Sequence, residues 1–297
     1  MGTVFCIGVV DCHHSGIGGG GFAIARKGDG IREGSGRGTV HRFDDEKKGE
    51  DYEVVDFRET APSGSWEGMF KNNFRMSLFG GMASATPGEV RGLQQIHGKY
   101  GKMSWERVMQ PAIALARDGF EVSDDFERAM EISSMNSDFL TKDPLWAIDF
   151  APNGTRVGRG DMITRKRYAK TLESIARDGA NAFYTGPIAD ATIRAIKKED
   201  GIITRQDLRK YAVMLRRPVE IEFKGNLLCS CGVPASGAVT LSALKILEGY
   251  DDVGDEMGNL STHRMVEAMR FGFGKVRVIR FQGSFDDWLT VLESKLR

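Results

Sequence analysis

Apolar positions fall into short runs near the N-terminus and into three- and four-residue spacings through the middle. Thr3–Val10 and Phe22–Ala25 are apolar runs on either side of His13-His14-Ser15-Gly16-Ile17-Gly18-Gly19-Gly20-Gly21. They read as two strand-like runs around a glycine turn, the second bounded by Gly28-Asp29-Gly30. Residues 28–51 are rich in Gly, Arg, Glu, Asp and Lys, the composition of a solvated loop or disordered insertion. Tyr52–Phe57 then alternates as a half-buried strand.

The middle of the chain has helical period. Val90, Leu93, Ile96 and Tyr100 predict a helix after Thr86-Pro87-Gly88. Ser104 stands as N-cap of a second one through Trp105, Val108, Met109, Ile113 and Leu115, closed by Asp118-Gly119. Pro111 inside it is expected to kink it or to start another helix. A loop-rich passage follows over 135–165, then helices over 166–177 and 187–198. Thr204-Arg205-Gln206-Asp207 has capping-box form. Val219–Phe223 and Asn226–Cys229 read as a strand pair, and Ala238–Leu247 as a helix. The last expected helix is Thr262–Phe273, with Thr262 as its cap and Met265, Val266, Met269 and Phe273 on one face. Strands flanking a long helical middle give an α/β or α+β class.

Composition narrows the function. The 297 residues carry 41 basic and 41 acidic side chains, a formal net charge of zero, so nothing draws the chain to nucleic acid or an anionic membrane. No segment approaches the ~18 apolar residues of a membrane span. The opening Met1–Asp11 has no basic residues ahead of its apolar run and no small-residue cleavage site, so no signal peptide is expected. Cys6, Cys12, Cys229 and Cys231 lack zinc-finger spacing, and one intervening residue would strain a Cys229–Cys231 bridge. They read as buried or incidental thiols. Asn153-Gly154-Thr155 and Asn259-Leu260-Ser261 are glycosylation sequons, which permit a secretory life without requiring it.

Gly16-x-Gly18-x-x-Gly21 fits the dinucleotide fingerprint, but that site needs a helix directly after the loop to hold the pyrophosphate. Phe22–Arg26 is strand-like instead, so the glycines are assigned to close backbone approach. Asp11, His13, His14 and Ser15 are sequence neighbours, and in an extended chain such neighbours point to opposite faces, which argues against a triad. His97 reads as solvent-facing.

Several stretches in order resemble the γ-glutamyltranspeptidase (glutathione hydrolase) family, large-subunit portion. They are Ser15–Phe22, Asp56-Phe57-Arg58-Glu59-Thr60-Ala61-Pro62, Thr86–Leu93, Gln110–Phe120, Ala182–Gly186, Asp207-Leu208-x-x-Tyr211, Gly232–Gly237 and His263–Ala268. They span about residues 3–275, with 28–51 as a loop insertion and 276–297 as a divergent tail. The resemblance implies an N-terminal-nucleophile hydrolase fold, an αββα four-layer sandwich, incomplete without the small subunit. It implies a precursor that cleaves itself, and a new N-terminal threonine that attacks γ-glutamyl compounds such as glutathione. That threonine is activated by its own α-amine, with no metal and no organic cofactor. It assigns Arg58 to the substrate α-carboxylate, a task suited to the planar fork of guanidinium. The residues alone leave open an ordinary surface pair of Arg58 with Glu59 or Asp56.

The family's Thr-Thr-His-like nucleophile stretch has no counterpart here; Thr262-His263 sits in a helical pattern. The chain is therefore expected to be trimmed at both ends, to carry no catalytic residue and to be inactive alone. The alternative is an inactive relative that binds γ-glutamyl groups or interacts with a partner. Full-length family members are usually secreted, vacuolar or membrane-anchored, and the compartment of this chain stays open.

Overall fold

The computed structural model describes residues 1–26, 52–135, 137–250 and 258–282, with 275–282 as backbone only. The expected insertion at 28–51 and the tail beyond 282 lie outside the described residues. In chain order the first elements are α1 (Gly2–Val10), β1 (Phe22–Arg26), β2 (Tyr52–Asp56), α2 (Glu89–Tyr100), α3 (Trp105–Asp118) and β3 (Phe120–Glu121). Next come α4 (Asp124–Ser134), α5 (Phe139–Lys142), α6 (Pro144–Phe150), β4 (Met162–Ile163), α7 (Lys166–Asp178), α8 (Asn181–Tyr184), α9 (Gly186–Lys198) and α10 (Arg205–Lys210). The chain finishes with β5 (Met214–Arg216), β6 (Val219–Phe223), β7 (Asn226–Ser230), α11 (Gly237–Leu247) and α12 (Asn259–Gln282).

The chain divides into two compact units. The first holds residues 1–21 and 57–213; the second holds 22–56 and 214–297. In the first, α1, α3 and α7 build the core. Phe5 and Val9 of α1, Met109 and Ile113 of α3, and Leu172 and Ile175 of α7 are all at most 1% exposed. Each such side chain contributes about 1.5–3 kcal/mol on burial. Phe5 meets Trp105 edge-on, with ring centroids 5.5 Å apart.

The opening run is therefore a helix, not a strand. Its nine residues are apolar on nearly every side, and a short apolar run carries no periodicity that separates a strand from a buried helix. α3 also runs unbroken through Pro111, because that ring lies on the exposed side, where water can take the freed carbonyl, while Met109, Ala112 and Ile113 hold the opposite side. Ser104 caps α3 as expected, accepting from Arg107 N–H, and Gly119 ends it at φ 109°. Thr204 and Asp207 form the full capping box at α10, and Asp207 also accepts from Ser63 N–H at 2.9 Å.

In the second unit β1, β2 and β5 form an antiparallel sheet in that order, with Phe22 opposite Asp56 and Val55 opposite Leu215. Arg216 Nε donates to the Asp56 carboxylate at 2.7 Å, so Asp56 is engaged by Arg216. β6 and β7 pair across the two-residue turn Lys224-Gly225, both at positive φ. α12 packs on α11 through small residues. Ala268 is 1% exposed, and a Cβ on Gly272 would lie 3.0 Å from the Val239 carbonyl. Met265, Val266, Met269 and Phe273, expected to be the buried face, are 40–63% exposed. Thr262 is not a cap: the helix starts earlier, at Asn259. The four cysteines are half-buried free thiols.

One pair of substitutions, at the N-cap of α2 and within it, separates close approach from ordinary helix preference. A Cβ at Gly88 would run into the Phe57 carbonyl and the Tyr211 hydroxyl, whereas at Gly98 it would meet nothing within 4 Å. Gly88→Ala should cost about 2 kcal/mol or more. Gly98→Ala should instead gain roughly 0.5–1 kcal/mol. Urea midpoints measure both, and two shifts of the same sign would contradict this packing.

Candidate functional site

The site is built around the backbone of Phe57-Arg58-Glu59. The glycine loop lies directly against it. Gly21 N–H donates to the Phe57 carbonyl at 3.2 Å, and Phe57 N–H returns to Gly21 at 2.9 Å. A Cβ on Gly20 would meet the Phe57 carbonyl and lie 3.1 Å from Glu59 N and 3.2 Å from the Arg58 carbonyl carbon. From the other side come the start of α2 and its first glycine: a Cβ on Gly92 would enter the Phe57 ring. The first N–H groups of α2, at Gly88 and Glu89, both donate to the Gly19 carbonyl, at 2.9 and 3.0 Å. Loop, motif and helix end thus form one hydrogen-bonded layer. Beyond it, Thr60 and Thr86 exchange backbone hydrogen bonds at 3.1 and 2.9 Å.

Two stacked tyrosines fix this layer from below. Tyr211 donates to the Arg58 carbonyl at 2.9 Å, and Tyr184 donates to the Pro87 carbonyl at 3.0 Å. Their rings are parallel within 8°, with centroids 5.8 Å apart. Arg58 therefore has a pinned main chain and an exposed side chain, 59% accessible, whose Nε lies 3.3 Å from the Glu59 carboxylate. Of the two surface pairs left open by the sequence, the one with Glu59 is present. A guanidinium has the planar fork that pairs with carboxylates.

Glu89 is the residue that sequence reasoning quoted without giving it a role. It is 4% exposed, accepts from Ser15 Oγ at 3.4 Å, and has no hydrogen-bond partner at Oε1 among the described residues. Burial pushes its carboxyl up to about 7, against the hydrogen bonds from Ser15 and Gly16, with the Glu59 charge adding to the rise. The signal that could have found it is a charged residue at the first position of a helix whose neighbours are glycines. Ser15 is thus committed to Glu89 and not to a histidine, so no Asp-His-Ser triad forms.

His13 and His14 do not point to opposite faces. Residues 11–14 form a turn after α1, the two rings lie 4.2 Å apart, and both Nε2 atoms reach Asp125 Oδ2, at 2.9 and 3.2 Å. The extended conformation assumed for this stretch is what failed. His97 is partly buried; its Nε2 meets the Met103 carbonyl at 2.8 Å. The glycine loop runs into β1 and not into a helix, which removes the dinucleotide reading. Among the described residues no helix is long and apolar enough to cross a membrane.

The profile described as Gamma-glutamyltranspeptidase matches residues 1–280. The chain is 47% identical over 264 residues to a glutathione hydrolase proenzyme of Arthroderma benhamiae, covering 89% of this chain and 42% of that one. It is 43% identical over 277 residues to a glutathione hydrolase of Aspergillus flavus, covering 92% and 42%. The chain thus spans about two-fifths of the length of these curated relatives. The crystal structure of Helicobacter pylori γ-glutamyltranspeptidase superposes with a TM-score of 0.81 at 28% identity, over 96% of this chain and 79% of that one. The Pseudomonas nitroreducens enzyme complexed with L-DON gives 0.75 at 28% identity, over 92% and 76%. A cephalosporin acylase of Bacillus halodurans, at 0.74 and 22% identity, shares the fold. The mixed helix-and-sheet fold is that of the N-terminal-nucleophile hydrolases.

The Glu89 carboxyl gives a pH-dependent expectation. Its folded value lies above its unfolded one, so the folded state holds the extra proton between pH 4.5 and about 7, and stability falls as pH rises through that window. Glu89→Gln cannot titrate. The variant's stability relative to the parent should therefore improve by on the order of 2 kcal/mol from pH 5 to pH 8. Denaturant titrations at both pH values test it; a gap independent of pH would place the titration elsewhere.

Proposed function

This chain belongs to the γ-glutamyltranspeptidase family, and on that premise we propose that it forms the donor-recognition part of a glutathione hydrolase. Arg58 receives the α-carboxylate of the γ-glutamyl group. The observation that carries the reading is the build of that residue: a main chain fixed by Tyr211 and packed against Gly20, with an exposed guanidinium beside Glu59. Fixing the stem reduces the rotational freedom lost when a carboxylate docks, and a forked pair of charge-assisted bonds then sets its orientation.

The chemistry needs a nucleophile that this segment does not provide. In the proposed reaction the hydroxyl of an N-terminal threonine, on the small subunit of the same precursor, attacks the γ-glutamyl carbonyl. Its own α-amine accepts the proton. The C–N bond to the leaving peptide amine breaks, that amine takes the proton, and the acyl-enzyme is resolved by water or by an acceptor amine. Arg58 holds the acyl group through both half-reactions. No metal or organic cofactor takes part. The exposed apolar side chains of α12, among them Met265, Met269 and Phe273, support a partner polypeptide, since a lone soluble chain gains nothing by presenting such a row to water.

Two measurements test this. Arg58→Lys in the full-length protein loses the fork and should raise KM for γ-glutamyl donors by about 10–100-fold, the equivalent of one or two charge-assisted hydrogen bonds; unchanged kinetics would remove Arg58 from the site. Intact mass and N-terminal sequencing of the native protein should show a second polypeptide beginning with threonine. A single unprocessed chain would assign the molecule to γ-glutamyl binding without turnover.

A further inference from the structure

Outside the Arg58 site, four metal-ligating side chains converge. Asp11, His13 and His14 sit in the turn after α1, and Asp125 sits in the first turn of α4, more than a hundred positions later. His13 Nε2 lies 3.0 Å from Asp11 Oδ1 and 2.9 Å from Asp125 Oδ2, and His14 Nε2 lies 3.2 Å from the same Asp125 oxygen. One ligand atom from each residue fits within 4.8 Å of all the others. Around a tetrahedral zinc ion with bonds of about 2.0–2.2 Å, neighbouring ligand atoms stand roughly 3.3–3.5 Å apart. The three contacts at 2.9–3.2 Å would open slightly to reach that spacing, and the remaining pairs already lie within 4.8 Å.

Charge and proton counts point the same way. With neutral imidazoles the cluster carries two negative charges, and its two Nε2 positions supply at most two protons for three nitrogen–oxygen contacts. A divalent cation balances that charge and gives one ligand atom of each of the four residues a partner. We propose that Asp11, His13, His14 and Asp125 bind one divalent transition-metal ion of the zinc class. Two imidazoles and two carboxylates suit zinc or a late first-row dication rather than calcium or magnesium, which prefer all-oxygen sets.

The site is rigid on one side and open on the other. His13 is 15% exposed and stacks on the buried Phe126 ring at 5.3 Å and 7°, so one residue of α4 orients the ring while its neighbour Asp125 supplies an oxygen. Its ring orientation comes from that stacking, since Nδ1 has no hydrogen-bond partner among the described residues. His14 and Asp125 are 63% and 62% exposed, which gives an ion direct access. Bound there, the ion ties the turn at 11–14 to α4. Ser15, next in the chain, reaches Glu89 under the glycine loop, so the ion would brace the entry to that loop. It is a structural site, separate from the acyl-transfer chemistry and independent of the role given to Arg58.

The test is equilibrium dialysis of the chelator-treated protein against Zn²⁺, with Co²⁺ as spectroscopic probe. The expected results are one Zn²⁺ per chain, a visible d–d spectrum of cobalt bound by nitrogen and oxygen, and a higher thermal midpoint with Zn²⁺. His14→Ala and Asp125→Asn, both at exposed positions that the core does not need, should each weaken binding by about tenfold or more. His97→Ala, remote from the cluster, should leave it unchanged. Failure to take up one ion, affinity unaltered in both variants, or a sulfur-to-cobalt charge-transfer band placing the ion on the cysteines would each overturn the proposal.

Discussion

The first unit depends on one close approach, that of the Phe57–Glu59 main chain to glycines on both sides. Gly20 and Gly21 meet it from the loop, Gly88 and Gly92 from α2, and side chains at Gly20, Gly88 or Gly92 would collide with the Phe57 carbonyl or ring. Peptide groups packed this closely leave little room for water between them and are best satisfied by hydrogen bonds to each other. Such bonds are present: Gly21 with Phe57, Gly19 with the first N–H groups of α2, and Tyr211 with the Arg58 carbonyl. The result is a main-chain layer that leaves few conformations to the residue at its centre.

Placing Glu89 beneath that layer adds an electrostatic constraint. Its carboxylate is sheltered from water at the point where the glycine loop and α2 meet, and burial outweighs the two hydrogen bonds that favour its charge. The helix N-terminus, the usual home for an acidic side chain, offers little here, because its first N–H groups are already spent on the Gly19 carbonyl. The group therefore titrates near neutrality, one residue from the loop that packs on Arg58. Charge at Glu89 and the shape of the loop are coupled through Ser15 and Gly16.

Much of this was legible from the residues. Helices with clear period and caps, such as α2 and α3, and the capping box at Thr204 could be placed because local hydrogen bonding and the apolar stripe agree. The same holds for the strand pair β6–β7, whose short turn fixes its register. The family was legible through motifs such as Asp56–Pro62. α1 was not, since an all-apolar run of nine residues has no stripe. The buried side of α12 was not either: Ala268 and Gly272 win the interface because small residues let two helices approach, and the larger apolar residues turn outward. Glu89 and Asp125 were hidden for a different reason. Their meaning comes from partners 74 and more than a hundred positions away, and no local pattern reports such a meeting.

In the function we propose, recognition and reaction separate physically. Holding a carboxylate in one orientation calls for a stem that does not move, and in that proposal the main-chain bonds of the Phe57–Glu59 layer serve this end without involving the reacting groups. Freeing an N-terminal threonine by cleavage calls for the opposite, a segment able to break its chain and shift to a new position. The two demands conflict if they fall on the same residues. Assigning the first to a glycine-packed motif near the start of the chain, and the second to a different polypeptide end, lets each be met without weakening the other. In the same proposal the exposed apolar row on α12 is the surface that joins the two parts, by burial that needs no covalent link.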